Sequence, residues 1–592
     1  MEPLDLSEFQ FSTKKQWQDR AIEDLQGKNL DTLHWHYDPD VIAEPYYDRS
    51  SAAIKSHSNL NLAVDPSTGK LGRIWHYLEE VSVMESSNEK YYNQTALTAL
   101  NGGADGIIWA LDPRSEISLD SLFDGIAFEY CHTIFKVSKW TNGEESLLSK
   151  FFHEKNALNG WFCYDPRKKH EEAISIAKVF SSANGFRPHC FDATQKISSL
   201  LSPSQQIAYL LSEFIERTGF LLEKEIDVNT MLGQSIFCLP AERDYFHNIA
   251  KIKALKLVIS QAASEFGLAV AQPSEVRVFS YCGPSQYSVV DPYVNLIRAT
   301  AATMSSVVGG ASYLNVSPYD SRHRITNPGV SERLSRNISN LLRDESHLDK
   351  YGDPSEGSYF IDTLTHQIAE KSWDGMREIE RQGGFSKASA YWGEEARKFT
   401  EKETSDVQNR RVNVVGVNNF CDLNLFGDFP TLPTLQKQLN QNAYPSFSTF
   451  ELLRAKTEDY LKTDPSLQRP SVTAARIGNP ASSLARFQFV QNLLPAAGLR
   501  VSMPVDWSAQ AVVKLHGEKI LFLCGSDKDY IELGEGILSQ IKKTFPDLYV
   551  CLAGNPGSNE SLFKSWGADS FVHTKSDFPS VLSHYQLLLG IS

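Results

Sequence analysis

The amino-acid sequence predicts an α/β protein: a (β/α)8 TIM barrel followed by a doubly wound, flavodoxin-like domain. Three observations point there. Between about residues 74 and 346, eight short apolar segments alternate with helical patterns. From residue 471 to the end, five further strand–helix units follow in closer succession. Between them lies a stretch punctuated by Pro430, Pro433, Pro445 and Pro465. At 592 residues the chain is too long for one hydrophobic core.

The expected barrel strands are 74–81, 105–110, 126–130, 161–164, 187–192, 236–239, 276–281 and 313–317, each short, apolar or aromatic, and bounded by turn residues. Helices are expected over 88–100, 202–218, 241–266 and 292–308. The second opens with Ser202-Pro203, a cap followed by proline at the first helical position. Residues 1–73 read as an N-terminal arm, 74–420 as the barrel with a helical extension, and 421–470 as a linker carrying one amphipathic helix over 447–461. In the last domain, 471–592, strands are expected at 471–477, 500–504, 519–524, 547–553 and 570–573. The helices between them are placed at 484–497, near 507–515, and at 530–543, 559–566 and 578–589.

Composition narrows the function classes. Hydrophobic residues make up 41% and charged residues 22%, so the chain can bury a large core and disorder is not expected. The net charge of −14, with no basic run, leaves no footprint for nucleic acid. Residues 1–20 lack an apolar signal region and no stretch approaches a membrane span, so a cytoplasmic protein without membrane contact is expected. None of the eight cysteines sits in a CxxC pair, and most lie in apolar runs. Reduced core thiols are expected and no metal site.

Residues 287–320 read YSVVDPYVNLIRATAATMSSVVGGASYLNVSPYD, and residues 338–365 read ISNLLRDESHLDKYGDPSEGSYFIDTLT. IERQGG at 379–384 and VGVNN at 415–419 follow in order, and Trp17 to Leu33 with Trp35 precede them. These motifs resemble the methylmalonyl-CoA mutase family, and specifically its small (beta) subunits. The resemblance implies an isomerase that interconverts methylmalonyl-CoA and succinyl-CoA by adenosylcobalamin radical chemistry. It makes the last domain one of cobalamin-binding type. In that family a D-x-H-x-x-G loop after the domain's first strand supplies the lower cobalt ligand, with the Asp fixing the His tautomer and the Gly admitting the cofactor's tail.

This chain departs from the pattern there. Pro480, Ser482 and Ala485 stand in the Asp, His and Gly positions, and no histidine lies between His366 and His516. Proline cannot orient an imidazole, and serine is a poor cobalt ligand. AGNPG at 553–557 replaces a longer Gly-Gly turn. The Gly/Tyr/Arg-rich segment that lines the coenzyme A channel is missing after Glu44, and no histidine stands near Gln195, where the family's active-site histidine would fall. His189 lies within a strand pattern and reads as packing or rim hydrogen bonding, with a channel role as the alternative. The turn Gly525-Ser526-Asp527-Lys528-Asp529 lacks a phosphate-loop pattern and reads as a capped strand–helix turn.

Three functions follow. The first is a non-catalytic small subunit, with no catalytic, cofactor-binding or metal-ligating residue of its own. It would support a homologous, cobalamin-carrying large subunit in a heterodimer, through the barrel loops and the N-terminal arm. The second is an active mutase with a relocated cobalt ligand, for which His573, at the end of the fifth strand, is the candidate; its plain reading is a rim histidine. The third is a stand-alone protein that binds or senses a small molecule.

Overall fold

Apolar runs such as Ile520–Cys524, buried at every position, can only form strands covered on both faces, and parallel α/β sheets provide that environment. In a computed structural model of the chain, the residues described are 12–38, 41–51, 63–64, 71–72, 74–83, 88–111, 118–137, 159–163, 186–194, 197–226, 228–229, 231–268, 272–327, 329–424, 429–441, 446–464, 466–502, 505–506 and 515–592. The chain divides into two units. One comprises Met1–Gly283, Ala299–Pro318 and Glu332–Ala396, and the other Pro284–Arg298, Tyr319–Ser331 and Arg397–Ser592.

The first unit is the expected barrel. Its parallel strands are His76–Val83, Gly106–Leu111, His132–Val137, Asn159–Cys163, a fifth strand in two pieces, Ser235–Pro240, Val278–Cys282 and Tyr313–Val316. The last strand pairs with the first, Tyr313 opposite His76. The fifth strand is split into Phe186–Arg187, which pairs with the fourth strand, and His189–Asp192, which pairs with the sixth. Pro188 separates them, because it has no N–H to give to a ladder. The helix Pro203–Glu223 starts where the sequence places it, with the Ser202 N–H donating to Gln205 Oε1 at 3.2 Å.

The third strand is not where the sequence suggested. Residues 126–130 form turns, with the Ile126 N–H bonded to Phe123 O at 3.1 Å and Tyr130 86% exposed; the strand is His132–Val137. Five mostly apolar or aromatic residues satisfy the strand pattern, but a loop satisfies it equally when its apolar residues tuck under a neighbour. Phe128 does so, packing edge-on against Phe123, which also meets Phe135 of the true strand.

The barrel interior is filled in layers. Leu78, Ile134, Cys190 and Phe279 come from the first, third, fifth and seventh strands, and Trp161, Ile236 and Tyr313 from the fourth, sixth and eighth. Above them, towards the carboxyl ends of the strands, Glu80, Lys136, Asp192 and Tyr281 again come one each from the odd strands.

The second unit contains five parallel strands in the order 2-1-3-4-5: Ser471–Arg476, a second strand in two pieces (Arg500–Val501 and Val505–Asp506), Ile520–Cys524, Tyr549–Ala553 and Ser570–Val572. This is the flavodoxin-like order. One sheet face packs Val472, Ala474, Phe522 and Cys551 against Phe487, Val490, Leu582 and Tyr585; the other packs Leu521, Leu523 and Val550 against Leu538, Ile541 and Phe563. The first helix begins earlier than expected, at Pro480, and turns into a tighter 3-10 segment over Leu494–Ala497, where Pro495 stands. The expected helix near 507–515 falls on residues outside those described, apart from Leu515.

Segment 421–470 holds two helices, not one: Leu432–Gln441 and Ser448–Thr463. The second is anchored by charge. Glu451 takes both guanidinium nitrogens of Arg322 at 2.8 Å, the Ser288 hydroxyl at 3.1 Å and the Val289 N–H at 2.9 Å. Arg322 also donates to Tyr287 O at 2.7 Å. Both side chains are almost wholly buried. The motif residues around them are structural as well. Asn295 accepts from the Ser288 N–H and donates to Ser288 O and Tyr319 O, and Arg298 donates to Val415 O at 2.6 Å. Asn418 closes its own turn through Val414, Val407 and Val412. Gly416, at φ +83°, lies where a Cβ would come within 2.9 Å of Asp291.

Breaking this ion pair leaves an uncompensated buried charge. Glu451→Gln is expected to destabilise the protein by about 3–5 kcal/mol, measured by urea unfolding. The double change Arg322→Met with Glu451→Leu is expected to recover most of that loss. A single-variant cost indistinguishable from that of a surface substitution contradicts the structural role.

Candidate functional site

In a doubly wound sheet, ligands lie beyond the carboxyl ends of the strands at the point where the strand order reverses, here between the first and third strands of the second unit. The loop there is 477–480. Asn479 caps the helix Pro480–Leu493, accepting the Ala481 N–H at 2.9 Å, and Pro480 occupies the first helical position. Ala485 is solvent-exposed on that helix. Across the reversal point, Ser526 and Asp529 form a capping box at the start of the helix Asp527–Thr544.

The two helix starts are tied together. The Ser482 hydroxyl lies 3.2 Å from Asp529 Oδ2, which also accepts the Ser526 N–H and hydroxyl at 2.8 and 2.6 Å. Those bonds from Ser526 hold the Asp529 carboxyl below its ordinary pKa. Gly478, at φ +73°, is required because a Cβ there would stand 2.1 Å from the Asp529 carboxyl. Arg486 donates to Gly525 O at 2.7 Å, pairs with Asp527, and lies over the Tyr530 ring at 5.2 Å. At Gly554, in the turn after the fourth strand, a Cβ would lie 2.6 Å from the same guanidinium. The Tyr530 hydroxyl sits 2.7 Å from Leu523 O and 2.9 Å from Ala553 O and accepts the Gly525 N–H at 3.1 Å, and its burial raises its pKa.

The crevice is thus bridged by the protein's own side chains. The positions aligned with the family's Asp, His and Gly hold a helix-starting proline, a serine hydrogen-bonded to Asp529, and an exposed alanine. They do not fit cobalamin: they supply no nitrogen ligand, Ala485 stands where the tail-admitting Gly would be, and Asp529 and Arg486 occupy the space beside Gly478 and Gly554.

His573 follows the fifth strand, two strands from the third and about 10 Å away by strand spacing. Its Nδ1 accepts the Lys575 N–H at 3.1 Å, and its own N–H donates to Ser576 Oγ at 3.0 Å. It therefore organises its own turn. His516 lies before the third strand, at the opposite end of the sheet. Gln195 is outside the described residues. His189 points away from the barrel interior, since its neighbours Cys190 and Asp192 line the inside, and burial lowers its pKa to about 3.

At the carboxyl end of the barrel strands, the layer Glu80, Lys136, Asp192 and Tyr281 closes over a cavity of about 20 Å3, room for one water. Lys136 Nζ is 3.6 Å from Glu80 and 5.6 Å from the Tyr281 ring centroid. Desolvation opposes its charge, but Glu80, Tyr281 and Asp192 outweigh that and raise its pKa.

Three cysteines below this layer were not recognised as a group from sequence spacing. Cys163, Cys190 and Cys238 come from the fourth, fifth and sixth strands, and their sulfurs lie within 4.8 Å of one another. Cys190 Sγ is 3.5 Å from Cys163 Sγ and 3.7 Å from Cys238 Sγ. The available signal was one cysteine in each of three consecutive expected strands, not a local CxxC.

Tyr530→Phe, which strips the hydroxyl from three backbone groups, is expected to cost about 1–3 kcal/mol. His573→Ala is expected to stay within about 0.5 kcal/mol. Urea unfolding of both variants checks the contrast, and the reverse order contradicts the assignment of roles.

The family profile described as Methylmalonyl-CoA mutase matches residues 201–454. The "Methylmalonyl-CoA mutase small subunit" of Porphyromonas gingivalis is 25% identical, over 99% of this chain and 98% of that protein. The protein of the same description from Streptomyces virginiae is 29% identical over 67% of each chain. The "Methylmalonyl-CoA mutase" of Rhizobium meliloti is 30% identical over 64% of this chain and 59% of its own length. With the ordered motifs, the barrel and the 2-1-3-4-5 sheet, these matches make the chain similar to the methylmalonyl-CoA mutase family, and over its full length to a small subunit of that description.

Proposed function

We propose that this chain is the non-catalytic small subunit of a heterodimeric methylmalonyl-CoA mutase, supporting a homologous large subunit that carries adenosylcobalamin and interconverts methylmalonyl-CoA and succinyl-CoA. The observation that carries the reading is the bridged reversal point. Ser482, Asp529, Arg486 and Tyr530 fill the crevice, and no histidine stands in the cobalt-ligand loop. The barrel supports it, because among the described residues the charged layer Glu80, Lys136, Asp192 and Tyr281 lines a cavity with room for only one water.

Meanwhile motif residues Asn295 and Asn418 hold the scaffold, beside the buried pair of Arg322 and Glu451. A scaffold retained without its site is expected when a partner surface still requires the fold. The description "small subunit" borne by the relatives from Porphyromonas gingivalis and Streptomyces virginiae agrees with a larger partner. Among the described residues no helix is long and apolar enough to cross a membrane, and all eight cysteines are free, which supports a cytoplasmic setting.

The test is reconstitution. The chain is mixed with the homologous large subunit of the same organism, the complex is sized by sedimentation, and mutase turnover is assayed for each chain alone and for the mixture. A heterodimer is expected whose turnover is unchanged by Ser482→Ala in this chain. Turnover by this chain alone, or failure of the two chains to associate, contradicts the proposal.

A further inference from the structure

The three buried cysteines of the barrel have no part in the reading above. They lie on three neighbouring strands: the ladder between His189–Asp192 and Ser235–Pro240 fixes Cys190 relative to Cys238, and the sulfur of Cys163, on the fourth strand, lies 3.5 Å from that of Cys190. A zinc ion bonded to thiolates at about 2.3 Å in a tetrahedron holds its sulfurs about 3.8 Å apart. The separations from Cys190 Sγ to Cys163 Sγ and Cys238 Sγ, 3.5 and 3.7 Å, are within a few tenths of an ångström of that edge.

Two further observations point to an ion. The Trp161 indole N–H donates to Cys163 Sγ at 3.2 Å, the kind of outer hydrogen bond that stabilises a metal-bound thiolate. On the open side of the trio lies the cavity of about 20 Å3, lined by Cys163 and Cys238 together with Asp192 and Thr194. It has room for one water, the fourth ligand a tetrahedral ion needs. Cys282, on the seventh strand, is buried too but stands apart from the trio, its sulfur 3.7 Å from Thr303 Oγ1.

We propose that Cys163, Cys190 and Cys238 bind one zinc ion, with a water in the cavity under Glu80, Lys136, Asp192 and Tyr281 as the fourth ligand. Binding releases the thiol protons and cross-links the fourth, fifth and sixth strands at mid-barrel. Sequence spacing hides such a site, since each ligand comes from a different strand–helix unit.

The full-length chain, purified under reducing conditions and stripped with chelator, is titrated with Co2+ and then with Zn2+. Uptake of one Co2+ per chain is expected, with a thiolate-to-cobalt charge-transfer band that Zn2+ displaces. Cys190→Ser and Cys238→Ser are expected to lose the band, and Cys282→Ser to keep it. Because a serine in the core can unfold the barrel, X-ray absorption on the wild-type zinc form decides independently. Three sulfur neighbours at about 2.3 Å and one lighter neighbour are expected. No stoichiometric uptake, a band that survives Cys190→Ser, uptake of Cu(I) alone, or a Cys163–Cys190 disulfide in the protein as isolated would each overturn the proposal.

Discussion

The buried pair between Arg322 and Glu451 is the interaction on which the second unit depends. It joins residues 129 apart in sequence and brings the excursion Tyr319–Ser331 and the Ser288–Val289 backbone onto the helix Ser448–Thr463. That helix in turn packs on the doubly wound core through Phe450 and Leu453, and its Leu453 O and Thr457 Oγ1 bond the Gln586 side chain. Two charges are expensive to desolvate. They are tolerated here because the carboxylate is also bonded by a hydroxyl and a backbone N–H, and the guanidinium also reaches a carbonyl. Motif residues that look like signatures of a cofactor enzyme are in this sense parts of a frame.

The frame and the site have separated. Asn295, Arg298, Gly416 and Asn418 keep roles that no substrate requires. Pro480 and Ser482, where the resembled family has its cobalt-ligand loop, start a helix and meet Asp529 across a crevice. The closure is cooperative: Gly478 must be glycine because Asp529 occupies the space above it, and Asp529 is there to complete the Ser526 cap and to meet Ser482. Restoring a histidine at position 482 alone would leave Arg486 and Tyr530 across the same opening. In the barrel, a charged layer sets Lys136 against Glu80 over a cavity of about 20 Å3.

Much of this was legible in the sequence. The strands of the second unit were, because burial on both faces leaves uninterrupted runs such as Ile520–Cys524. The start of a helix at Ser202-Pro203 was as well, because a cap followed by proline is a local signal. The third barrel strand was not: residues 126–130 carry the apolar, aromatic run of a strand while His132–Val137 carries the ladder. The polar core was not either. Glu451, Arg454 and Glu458 on one helix look like a solvated face, and only the fold brings Arg322 to the first of them. Arg486 and Tyr530 were illegible for a related reason, since their principal partners are backbone carbonyls that any sequence provides. The cysteine trio required strand order, which spacing alone does not supply.

The most direct test of a silent subunit is an absorbance titration of the purified chain with adenosylcobalamin, first alone and then with the homologous large subunit present. The account predicts no spectral change for this chain alone and one cobalamin per complex in the mixture. A shifted spectrum on stoichiometric addition to this chain alone would contradict it, because the bridged crevice would then have to open and a nitrogen ligand would have to come from elsewhere in the chain.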